Sequence, residues 1–100
     1  HLDGPAQIAH LDMLLSLPRL RGVQWVPGAG APPAEEWLPL LKRIRNAGKL
    51  CQPGWISARG ALRIARELGG RGFMFWVTDR FTPEEATDFL CALARDSLDR

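Results

Sequence analysis

No CxxC pair occurs in these 100 residues, so the usual cysteine-based metal and redox signatures are excluded. Cys51 and Cys91 stand far apart, one in an expected strand and one in an expected helix, and both are expected to be buried free thiols. Uninterrupted apolar runs are only a few residues long, against the roughly 20 needed to cross a bilayer. A charged, apolar, small-residue secretion signal is also lacking, so no membrane partner and a cytoplasmic location are expected. No concentrated basic face exists: the formal charge is +2, and Arg43, Arg45, Arg59, Arg63, Arg66 and Arg95 are spread over separate expected helices. Nucleic-acid binding needs a clustered footprint and is not expected. Neither GxGxxG nor GxxxxGK[ST] follows any apolar run, which removes the common nucleotide-binding signatures. An initiator Met is missing too, and His1 to Asp3 reads as the tail of a strand, so the chain is expected to be a piece of a longer protein.

What remains is an ordinary globular composition, 46% hydrophobic and 24% charged, arranged as a regular alternation. After the strand tail at residues 1–3, Pro5 opens a helix whose Ile8, Leu11, Leu14 and Leu15 form an apolar stripe that ends at Pro18. "GVQWVP" reads as a strand covered on both faces. A second helix, starting near Glu35 or Glu36 so that Pro39 falls near its first turn, buries Trp37, Leu38, Leu40, Leu41 and Ile44 and stops at Gly48. "KLCQPGW" supplies a third strand, cut short by Pro53 and Gly54. Ser57 caps a third helix with Ala61, Ile64, Ala65 and Leu68 as its stripe. "GFMFWVT" is the most hydrophobic run and reads as a central parallel strand. Thr82, Pro83 and Glu85 form a capping box for a fourth helix that buries Ala86, Phe89, Leu90 and Leu93.

Four strands alternating with four helices predict an α/β fold with parallel strands and right-handed crossovers. A complete (β/α)8 barrel takes about 250 residues, so four βα units make a partial TIM barrel. A small open doubly wound sheet is the competing architecture.

Parallel α/β folds assemble sites at the carboxyl ends of their strands, where loops and helix N-termini converge. That rule selects His1 with Asp3, the segment from Gln24 to Gly30, Gln52 to Trp55, and Trp76 to Arg80. His1 and Asp3 alternate along a strand and project to one face, as an acid/base pair or as two metal ligands; capping by Asp3 and a structural hydrogen bond from His1 are the plain alternative. His10, within the first helix, is assigned to surface or packing. Gln24 and Gln52 are polar groups in apolar strands and must find partners or bind a ligand. Gly28 and Gly30 leave backbone amides open to a carboxylate; a tight loop explains them equally. Asp79 and Arg80 are candidates for holding polar or carboxylate groups, or for pairing locally. Trp25, Trp55 and Trp76 are candidate walls for a large flat ligand, or core.

The stretches "HLDGP", "HLDMLL", "GVQWVPGAG" and "WLPLLKRIRNAGK" resemble the carboxyl-terminal half of the uroporphyrinogen decarboxylase-like superfamily, which contains decarboxylases and cobalamin-linked methyltransferases on a (β/α)8 barrel. In its thiol methyltransferases the matching first strand carries a His-x-Cys-Gly zinc motif. Here "HLDG" keeps His1 and Gly4 and places Asp3 at the cysteine position, and "VTDRF" offers no thiol after the last strand. The resemblance therefore implies an altered His and carboxylate site at His1 and Asp3, with zinc as the metal and Asp79 as a third ligand. A corrinoid-protein partner, a small-molecule or corrinoid-linked substrate, and an amino-terminal half of the barrel belong to the same implication. Methyl transfer to or from a corrinoid or thiol is the leading expectation, with His1, Asp3 and Asp79 catalytic and Gln24, Trp25, Gly28, Gly30, Gln52 and Arg80 binding substrate. Decarboxylation, with Arg80 and the Gly28 to Gly30 amides holding a carboxylate, is the alternative. A non-catalytic half-barrel that dimerises through its open edges is the third reading.

Overall fold

A computed structural model describes residues 1–98 and shows a mixed α/β fold with short parallel strands. β1 (Leu2–Asp3) pairs with β2 (Gly22–Val26), matching Leu2 to Trp25, and β2 pairs with β3 (Leu50–Gln52), matching Gln24 to Gln52. Cys51 bridges Phe73, and beyond it β4 (Trp55–Ile56) pairs with β5 (Trp76–Val77). Every pairing is parallel, and neighbours in space are neighbours in chain order.

The third expected strand is thus one ribbon broken at Pro53 and Gly54. Between its two points of pairing it carries one residue more than the ribbon opposite, a bulge that interrupts the ladder. Gly54 makes the bulge possible. Its φ is 62°, and a Cβ there would lie 3.1 Å from the Trp25 carbonyl oxygen.

The helices follow local chemistry. Pro5–His10 is a 3₁₀ segment that runs into α1 (Leu11–Leu15). A second 3₁₀ turn, Ala34–Glu36, precedes α2 (Leu38–Asn46), with Pro39 in the first turn, where its missing N–H costs nothing. Ser57 Oγ accepts from the Gly60 N–H at 3.0 Å to start α3 (Ala58–Leu68). In α4 (Pro83–Leu98) the Thr82 N–H donates to Glu85 Oε1 at 2.9 Å and the Glu85 N–H donates to Thr82 Oγ1 at 3.2 Å, completing the capping box.

One face of the sheet meets the helices. Leu2, Val23, Trp25, Cys51 and Ile56 from the strands pack on Leu11, Leu40, Leu41, Ile44, Ala61, Ile64 and Leu68. Alternate residues of the same strands face away from this core, and there Leu50, Met74, Trp55 and Trp76 are all more than half exposed.

Four expectations are corrected by this arrangement. The ribbon around Trp25 is covered on one face only, as its alternating burial shows. "GFMFWVT" is not a fully covered central strand: Phe73, Phe75 and Val77 reach the core while Met74 and Trp76 do not. Leu90 is 61% exposed because it lines the open cavity between α4 and the ribbon at residues 73–77, while its neighbour Phe89 packs on the core. Cys91, also on α4, is exposed, whereas Cys51 is buried as expected. Among the described residues no helix is long and apolar enough to cross a membrane.

Candidate active site at the strand ends

The uncovered face carries a polar row across three adjacent strands. His1 Nδ1 hydrogen-bonds Gln24 Oε1, and Gln24 Nε2 donates to Gln52 Oε1 at 2.9 Å. Parallel register explains the row: Gln24 stands level with Gln52, and His1 precedes the Leu2 that stands level with Trp25. Each glutamine answers the other's need for a partner inside an apolar sheet.

The row also fixes the imidazole. A carbonyl oxygen only accepts, so Nδ1 must carry the proton, and the neutral ring presents the Nε2 lone pair. Nε2 lies 3.6 Å from Asp3 Oδ2. A ring held this way can take a proton at Nε2 and is then stabilised as a cation by the adjacent carboxylate. His1 and Asp3 thus share a face, as their alternation predicts, and both remain largely exposed.

Beside them opens a cavity of about 530 Å³, lined among others by His1, Gln24, Gly28, Gly54 and Trp55. Gly28 and Gly30 adopt φ of 95° and 80°, and Ala31 N–H donates to the Gly28 carbonyl, so this loop is a tight turn as well as a cavity wall. Pro32, Pro33 and Ala34 also line it; "APPAE" carries no chemical signature, which is why residue-type reasoning passed over it. No lysine or arginine is among the lining residues. Trp55 and Trp76 lie with ring centroids 6.4 Å apart, tilted, on the same open face.

The remaining candidates fall elsewhere. Trp25 is fully buried on the helix side, edge-on to Trp37 at 5.2 Å between centroids, so it belongs to the core and not to a ligand wall. Strand alternation sends it opposite to Gln24. Asp79 Oδ1 accepts the Ala58 N–H at 2.8 Å, closing the first turn of α3, and its residue lines a different cavity with Phe81 and Phe89. Arg80 is exposed and is not a lining residue of the His1 cavity. Among the described residues no three His, Cys, Asp or Glu side chains gather as a metal site. His1, Asp3 and Asp79 therefore do not make a zinc triad: Asp79 is held by the helix amide. A single imidazole and one carboxylate, with no thiolate, are a poor donor set for zinc.

No family model, no characterised protein and no solved structure matches this chain.

Proposed function

We propose that this chain is the carboxyl-terminal half of a cytoplasmic (β/α)8-barrel enzyme of the uroporphyrinogen decarboxylase-like superfamily. In this reading the His1–Asp3 pair performs proton transfer at the strand-end rim. The observation that carries it is the hydrogen-bonded row from His1 through Gln24 to Gln52, which orients one ring nitrogen toward a carboxylate beside a cavity. Sequential order of parallel strands, with the core helices on one side, supports the half-barrel over the doubly wound alternative, which places helices on both faces.

Methyl transfer is the leading reaction. His1 Nε2 accepts the proton of a substrate thiol, Asp3 stabilises the resulting imidazolium, and Gln24 and Gln52 keep the ring in place while the thiolate sulfur accepts the methyl group. A methylcorrinoid on a partner protein would supply that methyl group, its cobalt–carbon bond breaking as the sulfur–carbon bond forms and its electron pair staying with the corrinoid. Zinc has no part in this step, because the donor set of this chain does not suit it.

The test uses the longer protein, with methyl transfer from a methylcorrinoid to a thiol as readout. His1→Ala is expected to lower turnover by about 10²- to 10⁴-fold, and Asp3→Asn to lower it less, with a chelator leaving the wild type unaffected. Turnover abolished by the chelator and restored by zinc would overturn the metal-free reading. Decarboxylation is second, favoured by Gly28 in the same cavity as His1; the position of Arg80 outside that cavity weighs against it.

A further inference from the structure

We infer that a second binding site lies where the strands begin, at the opposite end of the sheet from the His1 cavity, and that its ligand is a small molecule bearing a di- or triphosphate chain. Parallel register builds it. Arg21 and Lys49 stand immediately ahead of the paired residues Gly22 and Leu50, and the Leu50 N–H donates to the Arg21 carbonyl at 2.9 Å. Lys49 and Arg71 each stand two residues ahead of the bridged pair Cys51 and Phe73. Neighbouring strands lie about 4.8 Å apart, so three cations far apart in sequence enter the sheet side by side, in a row of about 10 Å. This corrects the expectation that positive charge is nowhere concentrated: the helix arginines are scattered, but the cations at the strand entries are not. The row stands on pairings inside the described chain and is independent of the reading of His1 and Asp3.

Arg45, Lys49 and Arg71 line one cavity of about 600 Å³, with Glu67 as the one carboxylate among its described lining residues. Pairing separates these cations from ordinary solvated ones. On the helix faces Arg43, Arg63 and Arg66 are tied to Asp12, Glu36 and Asp96. Among the described residues Arg45 and Arg71 have no acidic partner, and Lys49 Nζ donates at 2.7 Å to the Leu17 carbonyl, a neutral group that leaves its charge uncompensated. Helix ends explain only part of this. Arg45 lies in the last turn of α2, where a cation is favoured, but Arg71 lies beyond the end of α3 and on no helix. Like charges brought level in a sheet repel, and a cleft lined by one sign of charge focuses its field on a counter-ion.

Shape and reach choose the ligand. Two guanidinium forks and an ammonium offer bidentate and point contacts that match phosphate oxygens, and a concave wall takes a small molecule. Nucleic-acid binders neutralise about 6–10 phosphates along a track, and a row of about 10 Å is too short for that. A single phosphate would leave part of the row uncompensated. A di- or triphosphate chain reaches from Arg45 through Lys49 to Arg71.

Calorimetric titration of the full-length protein at constant ionic strength tests this, with orthophosphate, pyrophosphate, tripolyphosphate and ATP as probes. Tripolyphosphate is expected to bind at one site and about 10-fold or more tighter than orthophosphate. Arg45→Gln and Arg71→Gln are each expected to weaken it by about 10-fold or more, the loss of a hydrogen bond to a charged group. Arg71→Gln, on an exposed turn, carries the test should Arg45→Gln unfold the chain. Arg43→Gln, whose guanidinium is paired with Asp12 and lines no part of this cavity, leaves binding unchanged. ATP binding tighter than tripolyphosphate assigns the chain to a nucleotide, equal or weaker binding assigns it to free polyphosphate, and both uphold the site. Failure of both polyphosphates to bind, binding indifferent to the Arg45 and Arg71 variants, equal sensitivity to Arg43→Gln, or preference for an oligonucleotide over tripolyphosphate overturns it.

Discussion

The two faces of the sheet are written by alternate residues of the same strands, yet they obey different rules. On the helix side, Val23, Trp25, Cys51 and Ile56 are buried among leucine, isoleucine and alanine, and side-chain volume sets their contribution. On the open side, His1, Gln24 and Gln52 are chosen for their hydrogen bonds, and the apolar residues around them are left exposed. The contrast teaches that a parallel ribbon can hold its fold with one face while keeping the other for chemistry or association.

The sharpest break in that comparison comes from truncation on each side. Trp25→Ala is expected to cost about 3–5 kcal/mol, because a fully buried ring leaves a cavity beside Trp37. Leu50→Ala, in the same sheet, stays within about 0.5 kcal/mol under conditions that keep the chain dilute; urea unfolding of both measures the difference. Gly54→Ala strikes where the faces meet. It forces φ of 62° on a residue with a Cβ and presses that Cβ toward the Trp25 carbonyl, a loss of about 1–2 kcal/mol by the same measurement.

The two cysteines mark covered and uncovered positions chemically. Burial pushes the Cys51 thiol from 9.0 up to about 12, so it stays a neutral thiol in the fold. One thiol per chain, Cys91, is expected to react with iodoacetamide under native conditions, and two after denaturation; a native stoichiometry of two would contradict the placement. Because the folded value is the higher one, this stabilisation is complete below pH 9 and is lost as pH rises toward 12. The smallest effect is acidic. The Thr82 amide and hydroxyl lower Glu85 from its usual 4.5, and the hydrogen bond from Arg66 lowers Asp96 from its usual 3.8. Their contribution is complete above those values and fades as the pH falls below them, so melting temperature should drop in acid, less steeply in Glu85→Gln.

Periodicity made the helices and the order of the strands legible. Ser57, Thr82 and Glu85 act where their caps were expected, since capping is local chemistry that the chain carries with it. The pairing of His1 with Asp3 and the matching of Gln24 with Gln52 follow from alternation and parallel register. What could not be read was the exposure of one face: "GFMFWVT" is apolar throughout, and hydropathy does not say whether a covering layer is present. The exposure of Leu90 and Cys91 is illegible for a related reason, since hydropathy marks both as apolar and does not reveal the open cavity beside α4. Strand-end position marks Asp79 for chemistry and does not reveal that an amide in the preceding unit already claims its carboxylate.

That carboxylate joins two stretches of chain made at different times. The first turn of α3 is completed only when the ribbon after it has docked and delivered residue 79. Synthesis from the amino terminus therefore leaves the Ala58 amide without this acceptor until the fourth unit has been made.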